Sequence, residues 1–155
     1  MKFIAIFITA LLVCFPSFSM NTKTQKTELM LGKWHCENDV NVMGINLEIS
    51  IQNNFSKDKS AIGHGTVNVT NPELGMDLVY DVKVAHSWFI QNNMLYLTII
   101  ASTINSLKSS IFESLFDINS LLPSGQQDAI KIMTLTQSKF TGLYNGLELN
   151  CNRQN

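Results

Sequence analysis

The sequence carries few charged residues, and neither sign is in marked excess. Of its 155 residues 15% are charged, and 11 lysines and arginines nearly balance 12 aspartates and glutamates. A protein that binds nucleic acid or an acidic membrane surface normally presents a basic patch or a basic excess. We therefore expect neither nucleic acid nor an acidic membrane surface among the partners of this chain.

The motifs that commonly mark an enzyme or a metal site are also missing. The histidines at 35, 64 and 86 share no metal-ligand spacing with one another or with a carboxylate. No Gly-x-Ser-x-Gly elbow and no phosphate-binding loop occurs. Only His64, between Gly63 and Gly65, has an unusual local setting. A structural role in a turn explains this setting better than a catalytic role does. We expect a protein that is not an enzyme, with no catalytic residue, no metal ligand and no cofactor.

One apolar stretch stands at the start of the chain, and it predicts a secretory signal peptide over residues 1–19. Lys2 supplies the positive charge, Phe3 to Phe15 the apolar region, and Ser17 and Ser19 the small residues that a signal peptidase recognises. No other stretch approaches the roughly 18 apolar residues that a membrane-spanning helix needs. The sequence therefore predicts a secreted or periplasmic protein without a membrane span.

Residues 20–155 have the length of a single domain. This domain has two cysteines, Cys36 and Cys151, and an even pair in an oxidising compartment favours a disulfide over two free thiols. The third cysteine, Cys14, lies inside the predicted signal. It raises a bacterial lipoprotein as the alternative, although Val13 stands where a small residue is expected.

Alternation of apolar and polar residues predicts that most of the domain is β-sheet. The clearest case is segment 45–52, where every second residue is isoleucine or leucine. Gly63 and Gly65 indicate a bulge or a sharp bend within their strand. The polar segment 20–28 is expected to be frayed. Eight or nine strands are predicted, at about 30–37, 45–52, 61–70, 78–85, 87–91, 94–102, 129–136, 139–143 and 147–153.

The apolar period changes after the predicted strand at 94–102. From Ile104 to Leu122 apolar residues recur at steps of three and four, which predicts one helix at about 105–122. Closing the strands into a barrel removes exposed sheet edges. We therefore predict a mainly β fold, an antiparallel up-and-down β-barrel of about eight or nine strands with this one helix inserted. An open β-sandwich is the main alternative.

The two ends of the domain are predicted to pair as the first and last strands. Antiparallel pairing that places Cys36 opposite Cys151 also places Trp34 opposite Arg153. One register thus predicts both a disulfide and a guanidinium group over an indole ring. A disulfide between the first and last strands makes sense chiefly in a closed barrel.

These end segments resemble a known family pattern. A Gly-x-Trp that opens the first strand, here Gly32 and Trp34, with an arginine near the end of the last strand, here Arg153, resembles the lipocalin and wider calycin pattern. The segment from Tyr80 through 88–95 is similar to part of small bacterial secreted lipocalin-like domains. The resemblance implies that Trp34 packs under Arg153 and closes one end of the barrel. It also implies a binding protein.

Two kinds of partner are predicted from the strand faces and the helix. Tyr80, His86 and Trp88 share the parity assigned to the barrel interior, where they would bind a small apolar or amphipathic ligand or simply fill the core. Phe112 and Phe116 give the predicted helix more apolar surface than one packing face needs, which would suit a protein partner. The alternative function is therefore an inhibitor or immunity protein that blocks a hydrolase in the periplasm. A structural envelope component is the third possibility, and the sequence leaves the oligomeric state open.

Overall fold

The computed structural model describes residues 22–42, 44–108 and 122–154, which form a closed antiparallel barrel of eight strands. Each strand pairs with the next along the chain, and the last strand pairs with the first. The prediction of an up-and-down barrel is confirmed, with eight strands. The elements are helix α1 (Thr22–Met30) and strands β1 (Gly32–Val42), β2 (Ile45–Phe55), β3 (Ser60–Asn71), β4 (Met76–Gln91), β5 (Met94–Ser106), β6 (Gln127–Leu135), β7 (Lys139–Tyr144) and β8 (Leu147–Arg153), with a short 3-10 helix, Pro72–Leu74, between β3 and β4.

The register that closes the barrel is the predicted one. Cys36 lies opposite Cys151 and forms a disulfide with it, with the two Cα atoms 4.0 Å apart. Two residues away, Trp34 lies opposite Arg153. One pairing of β1 with β8 therefore holds both contacts, as the spacing of these residues required.

Short hairpin turns join several strands because asparagine and glycine tolerate positive φ. Asn92 and Asn93, between β4 and β5, have φ values of 48° and 62°, which suits the tight turn that the twist of a hairpin favours. Asn145 and Gly146, between β7 and β8, have φ values of 48° and 84°. Both turns lie in the gaps between predicted strands, the first between 87–91 and 94–102 and the second between 139–143 and 147–153.

The predicted strands at 78–85 and 87–91 are in fact one strand, β4. The register between β4 and β5 shifts between Ala85 and His86, which indicates a β-bulge. The extra residue, Ile100, belongs to β5, so the bulge leaves β4 continuous. Even-numbered residues of β4 therefore continue to face the interior on both sides of His86.

The glycines of β3 serve close packing, and the pairings of β3 with β2 and β4 show no register shift around them. A Cβ atom added to Gly65 would lie 2.0 Å from the carbonyl oxygen of Ser50. Only a residue without a Cβ allows this approach of β3 to β2. The bulge, one of the two alternatives at Gly63 and Gly65, is therefore wrong. A close backbone approach explains Gly65, whereas a Cβ on Gly63 would meet the side chains of Asn53 and Val84.

The segment 20–28, expected to be frayed, contributes most of helix α1. A helix of nine residues is too short to be stable alone in water. Tertiary contacts stabilise it: Met30 is fully buried in the barrel core, and Lys26 donates a hydrogen bond to the side chain of Asn93. Local sequence carries no sign of these contacts, which explains why the expectation of a frayed segment was wrong.

The predicted helix at about 105–122 lies mostly outside the described residues. Its first positions, Asn105 and Ser106, are part of β5, so the start of that prediction was wrong. At its other end, Leu122 packs against buried side chains of β3 and β4.

The buried side chains form two clusters, one above the other. The lower core lies at the end of the barrel where β1 begins, and the upper cluster lies where β4 begins. The lower core contains Met30, Trp34, Phe55, Ala61, Trp88, Ile90, Leu95, Ile130, Ile132, Phe140 and Cys151. The upper cluster contains Val69, Met76, Leu78, Tyr80 and Val82, with Ile45, Leu47, Val67, Ile104 and Leu122 packed against it.

Among the described residues, the wall of the barrel is complete only around the lower core. Strands β1–β5 have 11 to 16 residues, whereas β6–β8 have six to nine. Consequently β1 pairs with β8 only over Trp34–Glu37, and β5 pairs with β6 only over Met94–Thr98. Five strands thus continue above the closed part, and their concave face carries the upper cluster.

Candidate functional site

The lower end of the barrel is closed by Arg153 over Trp34. The guanidinium carbon of Arg153 lies 4.3 Å from the centre of the Trp34 ring, which is a cation–π contact. The guanidinium group also donates hydrogen bonds to the carbonyl oxygens of Leu29, Leu31 and Gln137. Leu29 belongs to α1, Leu31 directly follows α1, and Gln137 lies in the turn before β7. Arg153 therefore joins three segments at this end of the barrel.

Above this closure the lower core is filled. Trp88 is 1% exposed, and its ring meets that of Phe55 edge-on with the centroids 5.4 Å apart. Its indole N–H donates to the carbonyl oxygen of Ser60 at 3.0 Å, and the amine of Lys59 lies 4.3 Å from the ring centre. Both the ring and the N–H group of Trp88 are therefore in contact with other groups of the protein.

A group of polar side chains lies inside the barrel near the upper ends of β6 and β7. We call Gln126, Asp128, Tyr144 and His86 the inner polar group. The Tyr144 hydroxyl donates to Oδ1 of Asp128 at 2.8 Å, and the Gln126 amide donates to the same oxygen at 3.0 Å. All four side chains are half-buried. Asp128 precedes Ile130 of the lower core by two residues, so both side chains face inward.

The protonation of His86 and Tyr144 reflects this environment. Burial lowers the pKa of His86 below its usual value, although the negative charge of nearby Asp128 acts in the opposite direction. The pKa of Tyr144 is raised, first because its hydroxyl donates to Asp128 and then because of burial. Near neutral pH, His86 is therefore a neutral imidazole and Tyr144 a neutral phenol. No salt bridge to Asp128 is present among the described residues.

Above the inner polar group the concave face of β2–β5 is apolar. Tyr80 and Val82 are each 3% exposed and belong to the upper cluster. Val84, also buried, stands on the same face of β4 between Val82 and His86. From bottom to top, the interior thus consists of the filled apolar lower core, the inner polar group and the apolar concave face that carries the upper cluster.

The three predicted ligand-binding residues lie at three different levels. Tyr80 belongs to the upper cluster, His86 to the inner polar group and Trp88 to the lower core. Trp88 lies eight positions beyond Tyr80 on β4, which is roughly 26 Å along an extended strand. The structure thus places Tyr80 and His86 on the part of the interior that is not filled by the lower core. Phe112 and Phe116, the predicted partner-binding residues, lie outside the described residues.

Sequence reasoning missed Asp128, Tyr144 and Gln126. Asp128 shares its parity in β6 with Ile130 and Ile132, both of which are buried, and this parity was a signal that an acidic residue faces inward. No local pattern indicated that Tyr144, at the end of β7, would reach the same carboxylate, because the contact depends on the pairing of the strands.

The three histidines have separate surroundings. His35 contacts Ser50 Oγ at 2.9 Å, and His64 contacts Asp81 at 3.0 Å on the outer face. Within residues 22–42, 44–108 and 122–154, no group of three or more histidine, cysteine, aspartate or glutamate side chains is arranged to hold a metal ion. In the same residues no helix is long and apolar enough to cross a membrane.

Comparison with known proteins gives similar structures but no matching family. No protein-family model matches the sequence, and neither does any curated protein. The chain is similar to a lipocalin-like protein from Bacteroides uniformis, with a TM-score of 0.47 and 15% identity over 81% of this chain and 99% of that one. It is also similar to an uncharacterized protein from Bacteroides eggerthii, with a TM-score of 0.49 and 15% identity over 80% of this chain and 98% of that one.

Proposed function

We propose that this protein is a non-enzymatic binding protein for a small amphipathic molecule. The apolar part of the ligand contacts half-buried side chains that pack against Tyr80 and Val82 in the upper cluster, namely Leu47, Val67 and Ile104. Its polar end reaches the inner polar group. The observation that carries the proposal is the half-buried carboxylate of Asp128, which faces inward beside a neutral imidazole. A barrel interior that served packing alone would be filled by apolar side chains.

The inner polar group also favours one chemistry for the polar end of the ligand. Both hydrogen bonds from Tyr144 and Gln126 end on Oδ1 of Asp128, so Oδ2 remains as an acceptor. Because the group carries a carboxylate and neutral neighbours, it favours a hydrogen-bond donor with a positive charge. We therefore propose an amine as the polar end, in preference to an alcohol or a carboxylate.

Three amphiphiles with the same alkyl chain test this proposal, one ending in an amine, one in an alcohol and one in a carboxylate. Isothermal titration calorimetry is the suitable measurement, because both tryptophans lie in the filled lower core. The alkyl amine should bind most tightly. Asp128→Asn should weaken amine binding by roughly 10- to 100-fold, the loss of one charge-assisted hydrogen bond of about 1.5 to 3 kcal/mol.

The control is Glu28→Gln, which removes one negative charge from the exposed face of α1. It should leave amine binding unchanged. Equal affinity for the amine and the carboxylate would refute the amine assignment. Absence of binding by all three amphiphiles, or an unchanged affinity in Asp128→Asn, would refute the site.

We also propose that the protein acts outside the cytoplasm. The signal predicted over residues 1–19 supports this proposal, and so does the disulfide between Cys36 and Cys151, since disulfides persist mainly in oxidising compartments. Protein purified from its own host should begin at Met20, and its two cysteines should resist alkylation until they are reduced. An intact residue 1 or freely alkylated cysteines would contradict the proposal.

A further inference from the structure

The upper half of β1 is a sheet edge among the described residues. Pairing between β1 and β8 stops at Glu37 opposite Asn150, while β1 continues to Val42 and pairs there with β2 alone. The side chain of Asn38 accepts a hydrogen bond from the Asn150 amide and so ends the ladder. Segment 39–42 of β1 therefore has one side without a neighbouring strand in the described part of the chain.

The backbone groups on that open side belong to the odd-numbered residues. The amide of Gln154 donates to the carbonyl oxygen of Lys33 at 2.9 Å, so Lys33 turns its backbone groups toward β8. In an antiparallel strand the direction alternates from residue to residue. Asp39 and Asn41 consequently direct both N–H and C=O toward the open side, where a further strand would form its ladder.

The surroundings of this edge are acidic. Asp39 lies directly opposite Glu48 across the β1–β2 pair, and like charges in that position destabilise a sheet. Three ion pairs occur among the described residues: His35 with Glu37, His64 with Asp81, and Lys108 with Asp77. None of them involves Asp39, Glu48 or Glu148. The negative charges are thus uncompensated by lysine or arginine in the described residues, and a basic partner would relieve their repulsion.

A cleft of about 440 Å³ lies between the edge of β1 and the start of β8. Its acidic side chains are Glu37, Asp39 and Glu148, and its apolar ones are Val40 and Leu147. Because Val40 has inward parity and Asp39 outward parity, the two kinds of side chain alternate along the edge. A strand added here would meet apolar groups on one face and carboxylates on the other.

We propose that this edge binds an extended segment of a partner protein by strand addition, and that the segment alternates apolar residues with lysine or arginine. Main-chain hydrogen bonds to Asp39 and Asn41 supply the register. The basic residues lie beside Glu37, Asp39, Glu48 and Glu148, and the apolar residues lie beside Val40 and Leu147. This surface is separate from the barrel interior and does not depend on the ligand proposed above.

The first probe is a short blocked peptide that alternates lysine and valine. Two matched peptides serve as controls: one with glutamate in place of lysine, and one methylated at alternate backbone nitrogens so that it cannot form the ladder. Binding is measured by calorimetry and by amide chemical shifts of the intact protein. The lysine–valine peptide should bind and shift the signals of residues 39–42, and neither control peptide should do so.

Two variants at one position then test the backbone contact. Asn41→Pro removes an N–H that points to the open side and leaves the backbone hydrogen bonds between β1 and β2 in place. The side-chain hydrogen bond from Asn41 to Asn46 is lost in this variant and equally in Asn41→Ala. It should weaken peptide binding by at least about tenfold. Asn41→Ala retains the N–H and should bind like the original chain. Circular dichroism verifies that both variants retain the barrel, and the methylated peptide tests the same contact on the unaltered protein.

A charge variant completes the test. Asp39→Asn with Glu48→Gln should weaken binding by roughly 3- to 10-fold, since surface charge pairs contribute modestly, while thermal stability should increase because the like-charge pair is gone. Equal binding of the glutamate or methylated peptide, or no binding at all, would overturn the proposal. Concentration-dependent self-association that shifts the signals of residues 39–42 would overturn it too, because a second copy would then be the occupant.

Discussion

Replacement of Arg153 by alanine should detach helix α1 and lower the stability of the whole barrel. Arg153 places a positive charge 4.3 Å from the centre of the Trp34 ring. It also donates to the carbonyl oxygens of Leu29, Leu31 and Gln137. Since α1 is too short to be stable alone, the bonds to Leu29 and Leu31 stabilise it, together with the burial of Met30 and the hydrogen bonds Lys26–Asn93 and Trp34–Met30.

The magnitude follows from the contacts that alanine removes. Each hydrogen bond to a charged group contributes about 1.5 to 3 kcal/mol, and a cation–π contact about 0.5 to 2 kcal/mol. These terms are not additive, because the freed carbonyl groups reach water once α1 leaves the barrel. We expect a loss of about 3 to 5 kcal/mol in the free energy of unfolding, a large share of the stability of an ordinary domain.

Denaturant unfolding measures the loss, and hydrogen exchange of the α1 amides locates it. Arg153→Lys is the matched control: lysine keeps a charge near Trp34 but offers its donors from a single nitrogen, so it should fall between the original chain and Arg153→Ala. A loss below about 1 kcal/mol, or α1 amides that remain protected in Arg153→Ala, would refute the inference that Arg153 anchors the helix.

Two further predictions concern the disulfide and the pH dependence. Replacing both Cys36 and Cys151 by serine should lower the free energy of unfolding by about 4 to 5 kcal/mol, since the bond closes a loop with a sequence separation of 115; an unchanged denaturation midpoint would contradict this. Burial lowers the pKa of His86 in the folded state below its ordinary value of 6.5. Below pH 6.5 the unfolded chain therefore binds the proton more readily than the folded chain, and the free energy of unfolding decreases as the pH is lowered. His86→Gln should show a smaller decline below pH 6.5 in thermal melts, and an identical pH profile would contradict the assignment to His86.

The closure of the barrel could be predicted from few residues because it depends on parity and pairing. Once Cys36 is placed opposite Cys151, the period of two in a strand brings Trp34 to Arg153, and the structure has this register. The two asparagine-containing hairpin turns could also be predicted, since asparagine and glycine are the residues that accept positive φ there. These features are either local or fixed by a single long-range pair.

The candidate sites depended on relations that the sequence does not display. The inner polar group forms because β4, β6 and β7 surround one interior and bring Asp128, Tyr144 and His86 close together. Of these three residues, the sequence analysis identified only His86. In the described part of the chain, the edge at Asp39 and Asn41 is open because β1 is longer than its pairing with β8. Residue types alone gave no indication of where that pairing would stop.

The sequence by itself determined the succession of antiparallel strands, the register of the two ends and the disulfide, because alternation and a single cysteine pair constrain an antiparallel sheet closely. It divided β4 into two strands and ended β5 too early. The tertiary structure alone decided that residues 22–30 form a helix, that five strands extend beyond the closed barrel among the described residues, and that Asp128 meets Tyr144 and lies beside His86. The physical reason is that each of these features is stabilised by contacts between residues far apart in the chain, such as Arg153 with Leu29 and Tyr144 with Asp128. Such contacts leave no periodic pattern in the sequence, and they exist only once the barrel has closed.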